Sequence, residues 1–270
     1  MARQNLRIVY QNLADTSTIA ASTTAGATLA SNLKIDPKPL IWRSTGTSAT
    51  LIVTLAASST VNCVVLPFCN LTTAAQIRVV GVGLNTGYVN ACPYTPPGAW
   101  ASTLIPAGAS KYSYGGGTYA RIYFAPVTVS SLEITISDPT NTDGYIEASR
   151  LIIGNYWSPT FNTSFGLTVS PKDMSTNERS EAGDLVTNRG ITYNTMSFDL
   201  KYLNSADKTQ LLSILRGNGK SKPLFISLFP EDVDTSKEGM HQVYGKLTEL
   251  SGIQYAMFGI YSSTVDIEEV

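Results

Sequence analysis

Charge is scarce in this chain. Lys, Arg, Asp and Glu make up 14% of its 270 residues, against about 25% in ordinary soluble domains. A surface this poor in charge fits a protein that is covered in an assembly or that works outside cells. The 19 basic and 20 acidic side chains nearly cancel, so no broad positive field draws in phosphate backbones or anionic lipid. Nucleic acid is therefore not an expected partner.

Histidine is scarcer still. His241 is the single one, and a triad or a histidine-based metal site would need companions that the sequence does not place beside it. The three cysteines, Cys63, Cys69 and Cys92, are odd in number and lack a tight pair spacing, which excludes a disulfide framework or zinc knuckle and predicts buried free thiols. Cys63 and Cys69 lie six residues apart, on one face of an extended strand and about 20 Å from each other. Long apolar runs are absent as well: Leu51 to Ala57 and Val61 to Phe68 fall far short of the roughly 20 residues of a membrane helix. The run Met1 to Arg7 lacks the apolar core and cleavage site of a secretory signal, so classical export is not expected.

What is present is β-structure, unevenly charged. Of the charged residues, 12 lie in residues 1–140 and 27 in residues 141–270, which predicts two regions. We place the division at 1–160, 161–190 and 191–270. In the first, Ala49 to Leu55, Asn62 to Phe68, Ala75 to Val82, Thr118 to Phe124 and Ser131 to Ser137 are short, β-branched or aromatic, and bounded by turn residues. Their spacing predicts a β-sandwich of jelly-roll type. The stretch Tyr88 to Tyr114 carries four prolines and reads as a long excursion. Trp42 reads as a core residue with Arg43 satisfied beside it.

In the last region one helix is expected. Asn204 or Ser205 caps it, Asp207 occupies the first turn, Leu211, Leu212 and Leu215 form its stripe, and Arg216 and Gly217 close it. Alternation from Met196 to Tyr202 and strand-like runs at Pro223 to Phe229, Gln242 to Leu250 and Ile253 to Ser262 surround it, giving a small α+β domain. The fold class is thus mainly β: a sandwich, then an α+β domain with one main helix. The acidic end, Asp266 to Val270, reads as a solvated tail. Between the regions, Ser170 to Asn188 has few apolar residues. It reads either as an arm or hairpin that orders against a neighbour, with Lys172, Asp173, Glu178, Arg179 and Glu181 as its contact candidates, or as a solvated loop.

Chemistry is hard to assemble from these residues. Glu231, Asp232 and Asp234 lack the glycine-centred pattern of a calcium loop, and Gly115-Gly116-Gly117 and Gly81-Val82-Gly83 do not open helices as phosphate cradles do. No base, nucleophile and orienter come together, so no enzyme and no cofactor are expected. The exposed-ring candidates are Tyr94, Trp100, Tyr112 and Tyr114 of the excursion, which could pack, touch a partner or stack on a sugar.

Two resemblances add to this reading. Asn12-Leu13-Ala14-Asp15, Ala30-Ser31-Asn32-Leu33, Trp42-Arg43-Ser44, and Asn70-Leu71-Thr72 before Ile77-Arg78-Val79 resemble the galactose-binding-like, or discoidin-like, jelly roll. Such modules carry sugar, lipid or protein ligands on loops at one end, and fold alone does not fix which. The run Gly144 to Pro159, then Asn188-Arg189-Gly190, Phe198-Asp199-Leu200 and Lys222-Pro223-Leu224-Phe225, is similar to structural proteins of long-tailed bacteriophages. That resemblance implies a virion tail or baseplate component of the distal-tail type, made in the host bacterial cytoplasm. Its expected partners are copies of itself and other tail or baseplate proteins. The alternative is a carbohydrate-binding module that recognises glycans on the host surface.

Overall fold

The computed structural model describes residues 5–96, 105, 109–164 and 166–270. The chain is mainly β, built as a curled sandwich and a second, antiparallel sheet, with two α-helices among the described residues.

The sandwich hangs on two very long strands, Ser48–Cys69 and Thr118–Ser137. Sequence reading expects four short strands here. Register shifts between Thr54 and Ser59 and between Val61 and Cys63 let each long strand bend and stay paired through the polar middle, where Ser59 faces Val129 and Thr60 faces Thr128. Bulges of this kind turn one strand through two layers without ending it. Strands Thr18–Ala21, Gln76–Gly81 and Ile152–Gly154, with shorter pieces, complete a nine-stranded sheet. Its interior holds Trp42, Leu51, Val53, Leu66, Leu71, Ile77, Ile134 and Ile136, all fully buried. The Trp42 indole N–H donates to the Thr23 carbonyl at 3.1 Å.

A further bulge decides the fate of the thiols. Val64 and Leu66 point into the sandwich, whereas Cys63 and Val65 point out. Past it, Phe68 adopts a left-handed φ of 54° and the register slips between Leu66 and Cys69, which exchanges the two faces. Cys69 therefore points inward and Cys63 outward, so the expected shared face does not form. All three cysteines are free and buried.

The second sheet runs, edge to edge, through Arg7–Val9, Leu224–Ser227, Gln242–Leu247, Ile260–Glu269, Thr192–Leu203 and Thr168–Asp173, with Gln254–Met257 paired to Ile260–Glu269. Two of its strands depart from the sequence reading. Arg7–Val9, in the stretch 1–160 assigned to the sandwich, pairs with Leu224–Ser227. The acidic end is no solvated tail: Val265 and Ile267 alternate into the core of a central strand. The helix α1, Ser205–Asn218, covers one face with Leu211, Ile214 and Leu215. The Asn204 side chain accepts from the Asp207 amide, and the helix runs to a left-handed Gly219 (φ 54°), two residues beyond the expected stop. A short second helix, α2, Thr235–Met240, starts at Asp234, whose carboxylate accepts from the Ser236 and Lys237 amides.

The other face of this sheet packs on the sandwich. Val9, Phe225 and Tyr244 meet Cys63, Val65, Phe68, Tyr112 and Ile152 in one buried cluster. Charged side chains gather at the same junction, some bonding across it and some within one side. Arg121 of the long strand grips Glu238 of α2 through Nε and Nη2 at 2.8 and 2.6 Å. Arg7 reaches Glu231 at 2.7 Å and lies over the Tyr123 and Tyr156 rings. Arg150 bonds Asp15 at 2.7 Å and Asp36 at 3.1 Å, and donates to the Tyr244 hydroxyl, which donates to Asp36. Lys38 meets Glu269 at 3.5 Å over the Phe68 ring; burial, only partly offset by Glu269, pulls its amine below the usual lysine range.

Candidate functional site

Three of the four ring candidates lie on the described parts of the excursion, 88–96 and 109–114. Tyr112 is 1% exposed and sits in the junction cluster, where burial first and then Glu147 hold its phenol well above the usual range. It is a core residue and cannot present its ring to a ligand, because the three-residue turn Lys111–Ser113 points it at Phe68 and Gly117. Tyr94 is half-buried with its ring over Gly239 of α2, where a Cβ would collide with it. Tyr114 is half-buried, bridged by its backbone to Thr192 and capped by the Arg189 guanidinium at 5.7 Å. Trp100 lies outside the described residues. The three described rings thus tie the described parts of the excursion to the second sheet, and among them none forms a shared platform.

A polar cleft opens beside the paired strands Trp42–Arg43 and Glu147–Ala148. Arg43 stands directly opposite Glu147, and such cross-strand neighbours are within reach of each other on one face. Its Nε and Nη2 donate to Glu147 Oε2 at 2.8 and 2.6 Å, and its guanidinium stacks 4.3 Å from the Tyr145 ring centre. Lys111 lies 3.5 Å from Asp143 and 3.8 Å from Glu147. Arg43, Lys111, Tyr145 and Glu147, with Pro39 and Ile41, line about 460 Å³. The arrangement offers a charged hydrogen-bonding floor beside an aromatic wall.

The candidate arm residues lie elsewhere, all exposed. Lys172 and Asp173 end the edge strand Thr168–Asp173, whose Pro171 and Lys172 are residues that guard an open edge against pairing. Asp173 accepts from the Ser175 amide at 2.8 Å, and the Ser175 side chain first, then this amide, lower its pKa. Glu178 and Arg179 belong to Thr176–Arg179, which pairs only with Leu185–Asn188 in a separate two-stranded hairpin, and Glu181 is in its turn. Arg179 donates to the Gly183 carbonyl at 2.8 Å. Around the hairpin Met174, Leu185, Val186 and Ile191 are 57, 59, 56 and 48% exposed.

The remaining reactive groups have structural duties. Glu231 pairs with Arg7, Asp232 with Lys237 at 3.3 Å, and Asp234 caps α2. His241 Nδ1 is 2.7 Å from the Lys237 carbonyl, and its ring stands edge-on to Phe229. No group of three or more metal-ligating side chains occurs among the described residues. No described helix is long and apolar enough to cross a membrane. Sequence reasoning missed Arg121, Arg150 and Glu238. The available signal was a lone arginine inside an apolar strand-like run, as in Tyr119-Ala120-Arg121-Ile122-Tyr123, because a buried cation demands a partner.

No protein family and no curated protein matches this chain. Several solved structures do show similarity. A carbohydrate-binding module of Clostridium perfringens in complex with GalNAc-β-1,3-galactose is 12% identical, covering 53% of this chain and 99% of the module, with a TM-score of 0.37. A chitosan-binding module of a Paenibacillus sp. IK-5 chitosanase/glucanase is 20% identical, covering 53% of this chain and 98% of the module at 0.36. A family 32 module of C. perfringens in complex with galactose is 14% identical, with 54% and 98% coverage at 0.36. Likeness at this level carries no argument about what this chain binds.

Proposed function

We propose that this protein is a structural unit of a homo-oligomeric assembly, of the tail or baseplate kind that its sequence resembles, with no catalytic role. The observation that carries this reading is the hairpin Thr176–Asn188. A lone two-stranded ribbon is marginal in water, and every residue of this one is exposed while Leu185 and Val186 offer more than half their surface. A ribbon of this composition gains most when a neighbour covers it. The sandwich, fixed to the second sheet by buried clamps, then serves as a rigid platform for adjoining proteins.

The test is replacement of residues 176–188 by a short Gly-Ser turn joining Ser175 to Arg189. Light scattering should show the unmodified chain as a discrete multiple of 29.0 kDa and the shortened one as a monomer, lighter than one full chain by the residues removed, with the thermal transition of the folded body unchanged. An unmodified chain that stays monomeric would refute the reading; a shortened chain that still assembles would show that the hairpin does not carry it.

A second reading, glycan recognition, is favoured by the cleft of Arg43, Tyr145 and Glu147. Sugar hydroxyls suit a carboxylate–guanidinium floor, and the apolar face of a pyranose suits a phenol ring. Glycan-array binding that disappears in Tyr145→Ala would support it; an array silent for the unmodified chain would dismiss it.

A further inference from the structure

We infer that the hairpin of one copy docks on the basic corner at the C-terminal end of α1 in the next copy. The inference rests on the assembly reading and names the surfaces that would carry it.

The hairpin turn is acidic. Glu178, Glu181 and Asp184 are exposed and have no ion pair among the described residues, while the one basic residue among them, Arg179, is turned onto the Gly183 carbonyl. The corner is the converse: Arg216, Lys220 and Lys222 lie within seven residues, all are exposed, and none is in an ion pair among the described residues. Helix-end carbonyls account for part of the attraction that keeps cations there, but three unpaired cations leave a field to be met. The apolar flank supplied by Leu185 and Val186 gives the contact a core to shield from water.

Topology sets the direction of the contact. The hairpin springs from the loop between Thr168–Asp173 and Thr192–Leu203, at one edge of the second sheet. The corner leads through Pro223 into Leu224–Ser227, next to the opposite edge. Those two strands are four strand spacings apart, roughly 20 Å. The register puts the hairpin base and Leu224 at the same strand end, near opposite edges of the sheet. Two different surfaces on one protomer make a head-to-tail contact that closes into a ring or grows into a tube, or else a two-fold pair that exchanges hairpins; the mass of the unmodified assembly tells the two apart.

Charge reversal tests the pairing, since all the residues changed are exposed and the folded body is left intact. Glu181→Lys with Asp184→Lys should weaken assembly at least about tenfold in sedimentation equilibrium, as should Lys220→Glu with Lys222→Glu, because like charges then face each other. All four changes in one chain should restore it. The unmodified assembly should also loosen in 1 M salt, where screening shortens to about 3 Å. Unchanged assembly in either reversed pair, or no recovery in the quadruple variant, overturns the docking alone. An unmodified chain that stays at 29.0 kDa overturns both this contact and the assembly reading.

Discussion

Removing one charge of the Arg121–Glu238 clamp should unfold the protein at a much lower temperature. The Glu238 side chain is 1% exposed and that of Arg121 is 11%. Glu238 accepts two bonds from the guanidinium and a third, at 2.9 Å, from the Glu231 amide. In Glu238→Gln the shape persists, but the amide supplies no negative charge and turns a donor toward Arg121. Losing one partner of a buried ion pair costs about 3–5 kcal/mol, because the other charge stays behind uncompensated. For a chain of this size each kcal/mol moves the melting temperature by about 2–4 °C, so a fall of about 6–20 °C is expected. Circular dichroism melts at neutral pH measure it. The paired replacement Arg121→Met with Glu238→Met should cost far less than the single change, since no charge is then stranded. A loss below about 1 kcal/mol for Glu238→Gln, typical of solvated surface pairs, would refute the packed junction.

Other perturbations probe other parts of the fold. Burial lifts the Cys63 and Cys92 thiols to about 12 from the ordinary 9.0, and it raises the phenols of Tyr112, Tyr119, Tyr123 and Tyr244 as well. The unfolded chain releases these protons first, so the stability they contribute is whole below about pH 9 and lost as pH climbs toward 12. At pH 11 each of the two thiols should cost about 2–3 kcal/mol, visible as a lower urea midpoint than at pH 8; equal midpoints would contradict their burial. Leu211→Ala should destabilise by about 2–5 kcal/mol through the cavity left under α1, while the exposed Thr209→Ala should stay within about 0.5 kcal/mol in the same urea titration. Gly154→Ala should cost about 1–3 kcal/mol, because its Cβ would stand 2.6 Å from the Gln11 carbonyl oxygen; a neutral result would show that the N-terminal segment does not lie against the sandwich.

Local signals were legible and long-range ones were not. Asn204, Asp207, Leu211, Leu215 and Arg216 announce α1 because caps, dipole and stripe are all written within fourteen residues. Trp42 could be assigned to the core for a similar reason. The merging of four apparent strands into two escaped sequence reading because Ser59 and Thr60 look like turn residues, and only pairing with Val129 and Thr128 keeps them extended. The acidic C-terminus looked solvated because its charges outnumber Val265 and Ile267, although those two alternate as a half-buried strand should. Tyr112 could not be told from an exposed ring, since what buries it is Phe68 and the second sheet, far away in sequence. Polarity alone left Ser170 to Asn188 open between an arm or hairpin and a solvated loop, and only the pairing of Thr176–Arg179 with Leu185–Asn188 makes part of it a hairpin.

Sedimentation velocity of the unmodified full-length chain, over the widest attainable concentration range, tests the central claim most directly. The account predicts a discrete species at a whole-number multiple of 29.0 kDa that dissolves in high salt. A single 29.0 kDa boundary at every concentration, low salt included, would contradict it.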